Sequence, residues 1–160
     1  MQETSFTTVL TQAQFDEYAR LSGDDNPIHV DPGFATGTRF GRTVAHGMFL
    51  FGMLQAAHAR YRSGPVSPTG VELMFRAPTY TDDPVSFTIA PVEPGRFEET
   101  VRSSNGEVTV SGSSRFGARN DAPSDQPVLE ESAGYKGLEV GMSATRSRAF
   151  TIDDVAAYLR

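Results

Sequence analysis

Residues 45–61, AHGMFLFGMLQAAHARY, are apolar around most of a helical circumference, and that feature limits the folds open to this chain. Such a helix needs other structure on nearly all of its sides. Gly47, Gly52, Ala56 and Ala57 let neighbouring backbone come close, and Ser63-Gly64-Pro65 ends the helix. The wrapping comes from the segments C-terminal to it. Segments 71–77 (VELMFRA), 85–92 (VSFTIAPV), 97–103 (FEETVRS) and 108–116 (VTVSGSSRF) are β-rich, with turn signals at Asp82-Asp83-Pro84, Glu93-Pro94-Gly95 and Asn105-Gly106. The last of these predicts a hairpin turn with both central residues at positive φ. Ahead of the helix, 6–10 (FTTVL) is β-prone. Thr11 then caps a helix running to Leu21, with Phe15, Tyr18, Ala19 and Leu21 on its buried face. A long buried helix followed by an antiparallel meander predicts an α+β domain whose sheet curls around the helix.

Composition narrows the function. At 160 residues the chain is long enough for one domain with a real core. A net charge of −6, with no stripe of basic residues, argues against a nucleic-acid partner. No apolar run approaches the roughly 20 residues that cross a bilayer, so no membrane partner is expected. The opening MQETSFTTVL has neither a basic region nor a long apolar one, so a cytoplasmic location is expected. The absence of cysteine excludes disulfides, thiolate metal sites and a cysteine nucleophile.

Residues 1–117 are read as one domain, 118–134 as a polar, proline-containing linker, and 135–160 as a tail. The tail repeats the beginning: Thr11, Tyr18 and Arg20 correspond to Thr151, Tyr158 and Arg160, and Phe15 to Val155. It is read as the opening of a second copy, with an unrelated docking helix as the alternative.

The chemistry is concentrated in SGDDNPIHVDP, residues 22–32, a polar excursion broken by glycine and proline. Pro32 to Gly37 is read as a helical turn. From composition alone, Asp24, Asn26 and Asp31 could simply cap turns, with His29 a satisfied polar side chain. The loop is followed, however, by Val44-Ala45-His46-Gly47-Met48 at the head of the apolar helix. Together the two segments resemble the signature of the MaoC-like family, which includes (R)-specific enoyl-CoA hydratases, and the resemblance covers about residues 6–117. It implies the hot-dog fold, in which an antiparallel sheet wraps a central helix. It also implies reversible hydration of a trans-2-enoyl thioester to the (R)-3-hydroxyacyl thioester, without a cofactor.

Position by position, the resemblance makes Asp24 and His29 the acid–base pair. Hydration needs one group to take a proton from water and another to deliver one to the α-carbon, work that a carboxylate and an imidazole can share. Asn26 and Pro27 fix the loop, and Asp25 is left exposed. Gly47 is assigned the thioester oxygen, because a helix N-terminus offers amide N–H groups without intrahelical partners. His46 is given a structural hydrogen-bonding role. Gln55 stands where family members often carry serine, and His58 is expected to be an exposed or end-of-helix residue. The spacing of His29, His46 and His58 matches no metal-ligand motif, so no metal is expected. The implied partners are an acyl-CoA or acyl-carrier-protein thioester and a second hot-dog unit, in a homodimer or a pseudo-dimer. Two other functions compete. A hot-dog thioesterase is disfavoured by the lack of Asp or Glu in 45–61, and a non-catalytic acyl-binding or assembly subunit by the intact Asp24 and His29.

Overall fold

A computed structural model of the chain describes residues 2–61 and 68–117. The elements are β1 (Thr4–Val9), α1 (Gln12–Ser22), α2 (Pro27–Val30), α3 (Pro32–Thr36) and α4 (Gly47–Tyr61), then β2 (Gly70–Phe75), β3 (Pro84–Glu93), β4 (Arg96–Ser103) and β5 (Val108–Arg115). The terminator at 63–65, the linker at 118–134 and the repeat-like tail at 135–160 lie outside the described residues.

Thr11 caps α1 as a full capping box: its side chain accepts from the Gln14 N–H, and the Gln14 side chain accepts from the Thr11 N–H. The strands form one antiparallel sheet in the order β1-β3-β4-β5-β2. Along β3, Val85, Phe87 and Ile89 are fully buried, while Ser86 and Thr88 between them face the other way. They meet Phe49, Leu50, Leu54 and Ala57 of α4, with Leu10, Phe15, Val101 and Val110 completing the core. Each large apolar side chain buried here contributes about 1.5–3 kcal/mol. This α+β arrangement is the hot-dog fold.

Three expectations change in detail. Helix α4 starts at Gly47 rather than Ala45, because the preceding segment is held extended. Val44 bridges to Tyr80, and the Ala45 N–H is given to the Thr79 carbonyl at 2.8 Å. One sheet covers one side of the helix, so Met48 and Ala56 stay exposed despite the apolar circumference. The β4–β5 turn has positive φ at Gly106 (85°) but not at Asn105. Gly106 N–H bonds Ser103 O at 2.9 Å and Ser103 N–H bonds Glu107 O at 3.0 Å, which makes the loop longer than two residues. The Asn105 side chain serves it by accepting from the Ser103 hydroxyl and the Glu107 N–H.

Gly112 marks the tightest place in the sheet. A Cβ there would lie 1.9 Å from the Glu72 carbonyl oxygen and 2.9 Å from Leu73 Cα, both backbone atoms of β2. Gly112→Ala must therefore push β2 away from β5, at a cost of about 3 kcal/mol. A Cβ at Gly70 meets nothing within 4 Å. Urea unfolding is expected to give a sharply lowered midpoint for Gly112→Ala and a midpoint near wild type for Gly70→Ala. Equal midpoints would refute the close approach.

Candidate active site

The site begins where α1 stops. Gly23, in the left-handed region at φ 77°, gives its N–H to the Ala19 carbonyl at 2.7 Å and turns the chain out of the helix. Asp24 follows and is exposed, as is Asp25. Asn26 then caps α2, accepting from the Ile28 N–H, with Pro27 in its first turn. Asp31 caps α3 in the same way through the Phe34 N–H. Two of the polar loop residues are thus spent on caps, and His29 rides in the single turn between them.

His29 Nδ1 lies 2.7 Å from the Val44 carbonyl oxygen. A carbonyl only accepts, so Nδ1 carries the proton, and when the ring is neutral its lone pair is at Nε2. His46 Nε2 stands 2.9 Å from the Asp24 carbonyl oxygen and donates to it by the same logic. Its ring stacks on His29, with centroids 3.9 Å apart and planes inclined by 27°. His46 is almost fully buried. Burial lowers its pKa and the neighbouring His29 adds to this; the hydrogen bond to Asp24 and the Asp24 charge oppose it. His46 is therefore neutral near pH 7 and braces Asp24 and His29.

One ligating atom each from Asp24, His29 and His46 lies within 4.8 Å of the others. These groups run from solvent inward: exposed carboxylate, half-buried imidazole, buried imidazole. His29 Nδ1 and His46 Nε2 each face a carbonyl oxygen, so one nitrogen of each ring is left to face a ligand. Gly47 comes next in the chain. The N–H groups of Phe49 and Leu50 bond back to His46 O, which leaves the Gly47 and Met48 amides in the first turn without intrahelical partners. The Phe75 ring lies over Gly47, where a Cβ would come within 3.0 Å of its edge.

Gln55 does not join this group. It sits about two turns further along α4, and its buried carboxamide atoms have no hydrogen-bond partner. His58 departs from expectation: it is in the last turn of α4 but fully buried, with Nε2 2.6 Å from Glu99 Oε1 on β4. Tyr18, placed by its spacing on the buried face of α1, also borders the site. Its ring lies 4.9 Å from His46 and 5.6 Å from Phe49. Burial raises its pKa, and the Asp24 charge raises it further. Its position one turn before Ser22 is the signal in the sequence that points to it.

Residues 2–113 match the family model described as MaoC like domain. The chain belongs to that family. Over 75 residues it is 36% identical to the (R)-specific enoyl-CoA hydratase of Aeromonas caviae, covering 46% of this chain and 56% of that protein. Over 80 residues it is 36% identical to the 3-hydroxybutyryl-CoA dehydratase of Methylorubrum extorquens, covering 48% and 49% respectively. The chain spans about half the length of these relatives. An R-hydratase of Pseudomonas aeruginosa, solved in the unliganded form, superposes with a TM-score of 0.67 at 26% identity, covering 81% of this chain and 90% of that one. No helix of this MaoC-like domain, among the described residues, is long and apolar enough to cross a membrane.

Proposed function

We propose that this MaoC-like domain adds water reversibly to trans-2-enoyl thioesters, with Asp24 and His29 as its acid–base pair. The observation that carries this reading is the proximity of an exposed carboxylate to an imidazole whose Nδ1 is tied to the Val44 carbonyl, beside the first turn of α4. A water held between these two acceptors turns both hydrogens toward them and an oxygen lone pair toward the β-carbon. As the C–O bond forms, one proton passes from water to the pair, and one proton returns from the pair to the α-carbon. The pair ends as it began. The Gly47 amide, at the positive end of a helix, stabilises the charge that builds on the thioester oxygen, and one such donor lowers a barrier by about 2.7–4 kcal/mol. The names of these relatives support a 3-hydroxyacyl product of R configuration carried on coenzyme A, with a carrier protein as the other thiol to test.

The reading includes a second hot-dog unit. β2 is an edge strand among the described residues, and Val71, Met74 and Phe75 on it are 42%, 58% and 49% exposed. A second unit against that edge would cover them and enclose the thioester beside Gly47.

The test is ultraviolet loss of the enoyl chromophore with crotonyl-CoA, longer acyl-CoAs and the same acyl groups on carrier protein, together with titration of free thiol. Water addition without thiol release is expected. Thiol release would point to a thioesterase, and binding of every substrate without turnover to an assembly subunit; either outcome overturns the proposal.

A further inference from the structure

We infer that Gln12 is a positioning residue for the His29 imidazole, an inference that rests on the hydration reading of the site. Gln12 opens α1 and touches none of the reacting groups. Its carboxamide is nonetheless used at both ends. Nε2 donates to the His29 carbonyl oxygen at 2.9 Å and to Asp16 Oδ1 at 2.8 Å, and Oε1 accepts from the Thr43 hydroxyl at 2.7 Å. Thr43 is buried, and its oxygen lies 3.3 Å from Thr81 Oγ1.

Gln12 therefore grips residue 29 by its backbone and residue 43 by its side chain. Those two segments meet at one critical contact, His29 Nδ1–H to Val44 O. Without that bond, the imidazole proton is free to move to Nε2, which removes the lone pair that faces the water. The Val44 N–H to Ile28 O bond at 3.2 Å and the His46 contact with the Asp24 carbonyl also join the segments. Gln12 adds a bridge that refers both of them to a capped helix. An amide suits the task because it donates at one end and accepts at the other. Glutamate can accept from Thr43 but sets a second acceptor against the His29 carbonyl. Leucine does neither, and asparagine is one methylene short.

Because Gln12 acts through another residue, the decisive readout is the imidazole itself. With three histidines in the chain, nitrogen-15 spectra can resolve each ring, and the signal lost in His29→Gln identifies position 29. The wild type is expected to show His29 protonated at Nδ1 when neutral. Gln12→Leu and Gln12→Glu should both show a mixture of tautomers, with kcat for hydration down roughly tenfold and KM nearly unchanged. Thr43→Val should move in the same direction, and Thr43→Ser, which keeps the hydroxyl, should retain the wild-type tautomer. Folded Gln12 variants with an unaltered His29 spectrum would overturn the inference. If one variant does not fold, Gln12→Glu and Thr43→Val carry the same test. The spectrum needs no substrate: a tautomer shift in a protein that hydrates nothing would keep the clamp and sink the function.

Discussion

Asp24→Asn and His29→Gln are each expected to lower kcat/KM for enoyl-thioester hydration by roughly a hundredfold to ten-thousandfold, the range for a lost general acid or base. That is about 3–5 kcal/mol of transition-state stabilisation. Little change in folding stability should accompany it. Asp24 is exposed, and the caps of α1, α2 and α3 belong to Thr11, Asn26 and Asp31. The carboxylate that counts is fixed by position, because the Asp24 carbonyl takes the hydrogen bond from the buried His46. Asp25, adjacent and equally charged, has no such anchor. Asp25→Asn should therefore keep nearly full activity, which separates a positioned base from a merely negative loop. The double variant Asp24→Asn/His29→Gln is informative too. If both groups act on one water, removing the second costs little once the first is gone. Independent roles would multiply the two losses. Turnover retained in Asp24→Asn, or lost equally in Asp25→Asn, would remove the mechanism.

Local rules make part of this site legible. Thr11 reads as a helix cap and Asp24, Asn26 and Asp31 as possible turn caps; Thr11, Asn26 and Asp31 each do cap a helix, and Asp24 does not. Alternation along β3 separates Val85, Phe87 and Ile89 from the residues between them for the same reason, since side-chain direction is set by the residues next door. Asp24 and His29 stand out only through a family signature, because capping rules treat every polar residue of the loop alike. The hidden part depends on distant partners. The His46 contact with the Asp24 carbonyl spans 22 positions and the Gln12 contact with Thr43 spans 31. No window of local sequence holds both ends of either. The same limit explains why His58 reads as a solvent-facing residue at a helix end. The readable hint lies on the other element: Glu99 falls between Phe97 and Val101 at strand spacing, which implies an inward-facing acid on β4. An inward-facing acid needs a partner, and a histidine near the end of a wrapped helix is one of few candidates.

That pair yields a second large stability effect, beside Gly112→Ala. The His58 and Glu99 side chains are wholly inaccessible to solvent, joined Nε2 to Oε1 at 2.6 Å, with the Phe97 and Phe116 rings 4.9 and 4.6 Å from the imidazole. Their other polar atoms, His58 Nδ1 and Glu99 Oε2, are buried without hydrogen bonds. Each residue thus relies on the other for its one side-chain hydrogen bond. Removing either partner alone strands a buried polar group and should cost about 3–5 kcal/mol if the pair is ionic, or about 1–3 kcal/mol if it is neutral. Glu99→Leu and His58→Leu are both expected to lower the unfolding free energy read from urea titration by amounts in that range. The double variant His58→Leu/Glu99→Leu decides what the pair is worth in itself. Burying two charged or polar groups costs desolvation energy that one short contact offsets only in part, whereas two leucines would pack against Phe97 and Phe116 with nothing left unpaired. The double variant should therefore be more stable than either single one and close to wild type. A double variant as unstable as the singles would mean that the hydrogen bond stabilises the fold outright, and that its two orphaned atoms cost less than their burial implies.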